Sequence, residues 1–184
     1  MEKEEFNRQI KKGLEEINVN YNNRKINQLW KYMNLLLKEN KKYNLTNITK
    51  PEEIIKKHFL DSLAPLAKFD ISFQDKNYIV DLGTGPGFPG FVWKIFVPDK
   101  KFVLIDSTLK KVNFLKLLSA RLKIYEKIKI IHGRAEDLAD EKKYREQFDI
   151  VLARAVAPLK ILAEYTVPFA AKEGLLLYYK GPDY

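Results

Sequence analysis

Cysteine is absent from all 184 residues, which excludes disulfides, thiolate metal sites and cysteine nucleophiles together. Histidine occurs only at His58 and His132, too few for a histidine-based zinc site, so no metal is expected. No apolar run reaches the roughly 18 residues that a membrane-spanning helix needs. The opening segment MEKEEFNRQIKKGLEE is charged where a signal peptide is apolar, so a cytoplasmic location without a membrane partner is the expectation. Acidic charge is also in deficit. Against 24 Asp and Glu stand 33 Lys and Arg, a net charge of +9, which favours a polyanionic partner through attraction and counterion release. The bases are 27 lysines and 6 arginines, a bias that genome composition produces as readily as phosphate contact does.

What is present suits one folded core. Hydrophobic residues make up 46% and charged residues 31%, which needs no staple and leaves little room for disorder. Residues 1–72 read as a helical region, with a marginal helix over 2–17. From Asn23 to Lys42, Ile26, Leu29, Trp30, Met33, Leu36 and Leu37 recur at three- and four-residue steps, an amphipathic helix. Thr49 to Glu52 matches a capping box with Pro51 in the first turn. The helix it starts carries Ile54, Ile55, Phe59, Leu63 and Leu66 on its core face, and Pro65 is expected to bend or end it.

Residues 73–184 change texture. Short β-rich runs at Tyr78–Leu82, Phe102–Asp106, Lys127–His132, Phe148–Ala153 and Leu175–Lys180 alternate with helical stretches. Those stretches are Gly90–Phe96, Leu109–Ile124 and Leu159–Phe169, with a short polar segment around Glu136 to Tyr144. This rhythm predicts an α/β, Rossmann-like, doubly wound parallel sheet with the amino-terminal helices packed on it as a cap.

The sharpest local signal is the segment Asp81 to Gly90, DLGTGPGFPG, between the first strand and a helix. Glycines let backbone approach a ligand, and a helix start favours negative charge. The dinucleotide pattern G-x-G-x-x-G fails because Phe88 stands where the third glycine belongs, and no lysine followed by serine or threonine closes a phosphate loop. What fits is an acid ending strand one (Asp81), then G-x-G-x-G, then an acid ending strand two (Asp106), 23 positions beyond Gly83. That spacing places a carboxylate near ribose hydroxyls and makes S-adenosylmethionine the natural ligand. The bland alternative is that the glycines merely pack helix on strand and that Asp106 caps the next helix. His132 reads as the end of a strand, and Lys110 and Lys111 as surface groups or RNA contacts.

At these residues the sequence resembles the bacterial small-subunit ribosomal RNA methyltransferase G family, also called the glucose-inhibited division protein B family. The matching blocks are KYNLT over 42–46, HFLDS over 58–62, the whole of 81–90, Asp106 and Ser107 with Lys110, Lys111, Phe114 and Leu115, then Arg134-Ala135-Glu136, Arg154-Ala155 and Lys180-Gly181. The resemblance implies the class I S-adenosylmethionine-dependent methyltransferase fold. It also implies an enzyme that forms N7-methylguanosine in a conserved loop of 16S ribosomal RNA, at guanine 527, with that RNA or the small ribosomal subunit as partner. By the same resemblance Gly83, Gly85 and Gly87 hold the methionine end of the cofactor, and Phe88 packs beside it. Asp106 binds the ribose, Ala135 and Glu136 border the adenine, and Arg154 sits at cofactor or target base as the candidate catalytic residue. Asn44, His58, Asp61 and Lys180 are candidate substrate contacts, His58 and Asp61 by orienting the cap.

Two expectations concern the rest. The class I sheet normally continues after strand five with a helix and a hairpin, so this chain reads as lacking its carboxyl end, with strand five an exposed edge. A monomer is expected. A non-catalytic module that binds S-adenosylmethionine or RNA is the competing role. A small-molecule or DNA methyltransferase is the third reading; a DNA amino-methylating enzyme usually shows an Asn/Asp-Pro-Pro-aromatic motif after strand four, where Arg154-Ala155-Val156-Ala157 stands here.

Overall fold

The computed structural model describes residues 1–68, 76–154 and 159–179. Lys180 and the expected boundary near residue 72 lie outside the described residues. Two helices open the chain, α1 (Lys3–Glu16) and α2 (Asn23–Tyr43). Asn22 caps α2 by accepting from the Lys25 backbone N–H at 2.9 Å, and Asn44 ends it in the left-handed conformation at φ 48°. Lys41 and Lys42 in the last turn complement the helix dipole. Of the predicted stripe Ile26, Leu29, Met33 and Leu36 are buried and Trp30 and Leu37 are half-buried, while Tyr32, between Leu29 and Leu36 at helical spacing, is wholly buried.

The third helical stretch departs from expectation. It begins as α3 (Pro51–Glu53), continues as a π-helix over Ile54–Leu60, and returns to α geometry in α4 (Asp61–Lys68). Lys50, not Thr49, is the N-cap, and no side chain caps this helix; Pro51 alone marks its start. Pro65 lies inside α4 instead of ending it. Nearby, the Ser62 carbonyl accepts from Trp93 Nε1 at 2.5 Å and from the Tyr179 hydroxyl at 2.9 Å, which pins α4 to the sheet domain.

Five parallel strands follow: β1 (Tyr78–Leu82), β2 (Lys101–Asp106), β3 (Ile128–His132), β4 (Phe148–Arg154) and β5 (Ala170–Tyr179). Their order is β3-β2-β1-β4-β5, with crossovers α5 (Gly90–Phe96), α6 (Leu109–Leu122), α7 (Ala135–Ala139) and α8 (Leu159–Thr166). The expected doubly wound sheet is therefore present. The short polar segment around Glu136 to Tyr144 carries the five-residue α7, its charged sequence offering little apolar face. One length differs. Strand β5 starts five residues early, passing a register shift against Phe148 and Ile150. The Lys172-Glu173-Gly174 stretch reads as a turn in sequence and hides that start. Among the described residues β5 is an edge strand, its apolar residues half-buried.

The central strands are buried on both faces, from Val80 to Leu152, as near-continuous apolar runs require. One face packs against α5, α6 and the helical cap. The other holds a smaller cluster that includes Leu138, Tyr144, Phe148 and Phe169. Cap and sheet domain meet through aromatic rings. Tyr32 lies 5.2 Å from Phe88 at an interplanar angle of 4°, and 5.8 Å from Phe91. Fully burying one such ring contributes about 1.5–3 kcal/mol.

Candidate functional site

Strand order reverses at β1, whose neighbours are β2 and β4. Crevices for ligands in open α/β sheets form at this point, beyond the carboxyl ends of the strands. There the chain leaves β1 in a turn with three glycines at positive φ: Gly83 (66°), Gly85 (61°) and Gly87 (112°). Asp81 organises the turn from beneath. Its Oδ2 accepts from the Thr84 hydroxyl at 2.6 Å and from the Gly90 N–H at 2.8 Å, tying both ends together. Its Oδ1 is buried with no hydrogen-bond partner. Burial pushes the Asp81 carboxyl up to about 7, against the opposing pull of the Thr84 and Gly90 bonds and of Arg154.

Asp106, at the end of β2, is 5% exposed and holds the turn from the side. It accepts from the Gly85 N–H and from the Thr108 N–H, each at 2.8 Å, with Lys111 Nζ at 3.9 Å. Gly83, Asp106, Ala135 and Glu136, all expected at the cofactor, line one cleft together with Arg134 and Tyr165 of α8.

The remaining loop residues divide. A Cβ on Gly85 would meet no atom within 4 Å, so this glycine faces open space. Gly87 faces protein: a Cβ there would run into the Tyr32 hydroxyl and sit 2.8 Å from Phe91 Cβ. That same hydroxyl donates to the Pro86 carbonyl at 2.6 Å, so α2 clamps the turn directly. Phe88 is 3% exposed, stacked between Tyr32 and His58, whose ring lies 4.2 Å away at 12°.

Arg154, at the end of β4, reaches into the cap. Its Nη1 donates to the Lys57 carbonyl at 3.0 Å and to Asp61 Oδ2 at 3.2 Å; its Nη2 lies 2.9 Å from His58 Nδ1. The guanidinium also stands 5.3 Å above the Phe88 ring. Arginine has no acceptor, so His58 Nδ1 must accept, and a neutral imidazole then carries its proton on Nε2. That nitrogen is 3.0 Å from the Thr46 hydroxyl oxygen, which also takes the Ile48 N–H at 3.1 Å. Burial, with Arg154 adding to it, drives the His58 imidazole down to about 3, which keeps it neutral. Thr46 is fixed in turn by Asn40, whose side chain bonds both its N–H and its carbonyl, at 2.8 and 3.0 Å.

His58 on the π-helix and Asp61 at the start of α4 thus meet Arg154 from the end of β4, and π geometry is frequent at functional sites. Asn44 acts in the described structure as the left-handed end of α2. Thr46, Asn40 and Tyr32 were not singled out by sequence reasoning. Tyr32 carried a signal in its spacing to Leu29 and Leu36; Thr46 carried none beyond its place in the KYNLT block. Among the described residues no group of three metal-ligating side chains occurs, and no helix is long and apolar enough to cross a membrane.

Fold and edge geometry together define a class I S-adenosylmethionine-dependent methyltransferase fold. A solved Staphylococcus aureus structure, provisionally assigned as a caffeoyl-CoA O-methyltransferase, matches it with a TM-score of 0.58 at 15% identity. The match covers 79% of this chain and 65% of that one, and it supports the fold alone. The family description for rRNA small subunit methyltransferase G matches residues 25–184. Ribosomal RNA small subunit methyltransferase G of Clostridium botulinum (strain Loch Maree / Type A3) is 41% identical over 179 residues, 97% of this chain and 74% of the relative. The protein of the same name from Caldanaerobacter subterraneus subsp. tengcongensis is 49% identical over 153 residues, 83% of this chain and 63% of the relative. The chain belongs to the rRNA small subunit methyltransferase G family.

Proposed function

We propose that this chain methylates N7 of a guanine in 16S ribosomal RNA, the guanine-527 position, using S-adenosylmethionine held at the carboxyl edge of the sheet. The observation that carries the reading is the Gly83–Gly87 turn with a buried, unpartnered carboxylate oxygen, Asp81 Oδ1, beneath it. A buried orphan acceptor costs stability unless a ligand satisfies it, and an amino-acid ammonium is the donor that suits a carboxylate. When bound, S-adenosylmethionine supplies an electrophilic methyl group on a sulfonium. Gly83 and Gly85 offer backbone at close approach, Asp106 has lone pairs for ribose hydroxyls, and Ala135 with Glu136 borders the adenine.

Guanine N7 carries a free lone pair and no proton, so the reaction needs alignment and exclusion of water more than a general base. Arg154 suits an alignment role. Its guanidinium is held from the cap by three acceptors, and from that position it orients the carbonyl edge of the base or a phosphate without facing the ring on which positive charge grows. His58 and Asp61 act through it, as positioning residues. Replacing His58 tests this: His58→Asn keeps an acceptor near Nδ1 and is expected to retain most activity. His58→Gln, which does not, should slow single-turnover transfer about tenfold, the scale of one lost hydrogen bond to a charged group. Equal rates for the two variants would contradict it.

Asp81 gives a pH signature. In the cofactor-free protein its carboxyl is neutral below about 7. Holding an ammonium requires the carboxylate, so binding must release a proton below that pH. The cofactor dissociation constant is expected to rise about tenfold per pH unit on descending from about 7, and to lose that slope in Asp81→Asn. Equilibrium dialysis from pH 5 to 8 measures both. Labelled methyl transfer to small subunits or naked 16S RNA tests the function itself; cofactor binding with no label in either RNA would favour the non-catalytic module.

A further inference from the structure

Charge is divided unevenly between the two edges of the sheet. At the carboxyl edge four bases are tied to acids: Lys57 to Glu53 at 2.7 Å, Arg154 to Asp61 at 3.2 Å, Arg134 to Glu136 at 3.5 Å, Lys111 to Asp106 at 3.9 Å, while Lys110 is in no ion pair among the described residues. The opposite edge, where β1, β2 and β3 begin, α2 starts and α6 ends, is different. It exposes Arg24, Lys101, Arg121, Lys123, Lys127 and Lys129, and no ion pair among the described residues engages any of the six. Asp99 and Glu126 are the acids beside them, while Asp149 is taken up by the N–H groups of Asn77 and Tyr78.

These bases are arranged on a surface with relief. One hollow is lined by Arg24, Lys123, Tyr125 and Lys127, and a second, adjoining it through the same Lys127, by Lys101 and Lys129. Lys123 and Lys127 both take φ 54°, a conformation that favours glycine or asparagine, and they flank Tyr125, which is 64% exposed. Beneath them the buried Lys94 ammonium bonds the Pro98 and Lys100 carbonyls at 2.5 and 2.9 Å, fixing the turn that frames the hollow. A predominantly cationic surface, its six exposed bases outnumbering Asp99 and Glu126 in the lining, with an exposed aromatic ring is the composition that tracks a phosphodiester backbone and offers one stacking platform.

We propose that this amino-edge surface is a second RNA-docking face, which grips ribosomal RNA phosphates at a distance from the guanine being methylated. It rests on the reading of the chain as an RNA methyltransferase and extends it. A strand of five or six residues separates the two edges by about 17 Å, so a single nucleotide cannot reach both, whereas a folded ribosomal RNA can. The carboxyl edge selects and reacts; the amino edge supplies salt-sensitive affinity.

The test is a triple variant, Lys123→Gln, Lys127→Gln and Lys129→Gln, beside a control that removes equal charge from α1: Lys3→Gln, Lys11→Gln and Lys12→Gln. Affinity for naked 16S RNA and for small subunits is measured between about 50 and 200 mM salt. Relative to the control, the triple variant is expected to bind naked 16S RNA about tenfold more weakly, with a log–log salt slope lower by about two to three. Its affinity for S-adenosylmethionine should be unchanged. Slopes and affinities equal to the control overturn the proposal, as does weakened binding to subunits alone, which would mark a protein-docking face. Should the triple variant lose thermal stability, Arg24→Gln with Lys101→Gln and Arg121→Gln poses the same question. If the unsubstituted protein transfers methyl groups to RNA yet the variants match the control, only this docking face falls. If it neither methylates RNA nor binds it in a salt-dependent way, the functional reading falls with it.

Discussion

Gly87→Ala is expected to destabilise the fold by about 4 kcal/mol, combining backbone strain of about 1–3 kcal/mol with overpacking of similar size. Gly87 holds φ 112°, outside the range an alanine adopts comfortably. The added Cβ would strike the Tyr32 hydroxyl and lie 2.8 Å from Phe91 Cβ and 2.9 Å from Leu115 Cδ2. Tyr32 cannot yield without leaving the Pro86 carbonyl and its stacking on Phe88. For a chain of this length the thermal midpoint should fall by roughly 8–16 °C, at 2–4 °C per kcal/mol. Calorimetry or thermal denaturation reads it directly, and a fall of under 3 °C would contradict the clamp between α2 and the turn.

Gly85→Val, two residues earlier, is expected to behave in the opposite way. Gly85 has φ 61°, and no atom would lie within 4 Å of its Cβ. The fold therefore pays only the left-handed strain, about 1–2 kcal/mol. The valine side chain projects into the space that the cofactor reading requires to be free, so affinity for S-adenosylmethionine should drop by about a hundredfold, near 3 kcal/mol. The backbone N–H at position 85 must also keep its bond to Asp106, which couples any backbone shift to the carboxylate proposed to hold the ribose. Equilibrium dialysis on folded protein is the measurement; near-normal affinity would remove the loop from the cofactor site. The pair of substitutions separates two roles that three glycines in a row of five residues conceal.

That separation shows where sequence stops being legible. The turn itself was plain, because glycine density and an acid at each strand end are punctuation that packing does not alter. Asp106, Gly83, Ala135 and Glu136 came to one cleft because parallel strands deliver their carboxyl ends to one edge. Which glycine faces a ligand and which faces Tyr32 depends on how α2 crosses the sheet, and no local pattern encodes that crossing. The π-helix was equally hidden: Ile54, Ile55, Phe59 and Leu63 satisfy an ordinary helical stripe, and the change from i,i+4 to i,i+5 bonding leaves residue types untouched. Yet it is within this segment that His58 and the Lys57 carbonyl reach Arg154, with Asp61 just beyond. Thr46 belongs to the same class of hidden residue, since a threonine in a polar loop reveals its role only when an imidazole lies 3.0 Å away.

The cap's purpose follows from these contacts. It presses Tyr32 on the turn and draws Arg154 into the Lys57, Asp61 and His58 cradle, so that the edge proposed to react is bounded by groups already locked in place. Alignment of this kind suits a nucleophile that needs no base.

The central claim is a methyl transfer to guanine N7 at this edge, and single-turnover incubation with methyl-labelled S-adenosylmethionine tests it most directly. The substrate is small ribosomal subunits from a strain lacking the modification, followed by nuclease mapping and nucleoside identification. The account predicts label at one guanine, recovered as 7-methylguanosine, and its loss in Gly85→Val. Label on another base, on another atom of guanine or on ribose, or no label from protein that binds the cofactor, would contradict it.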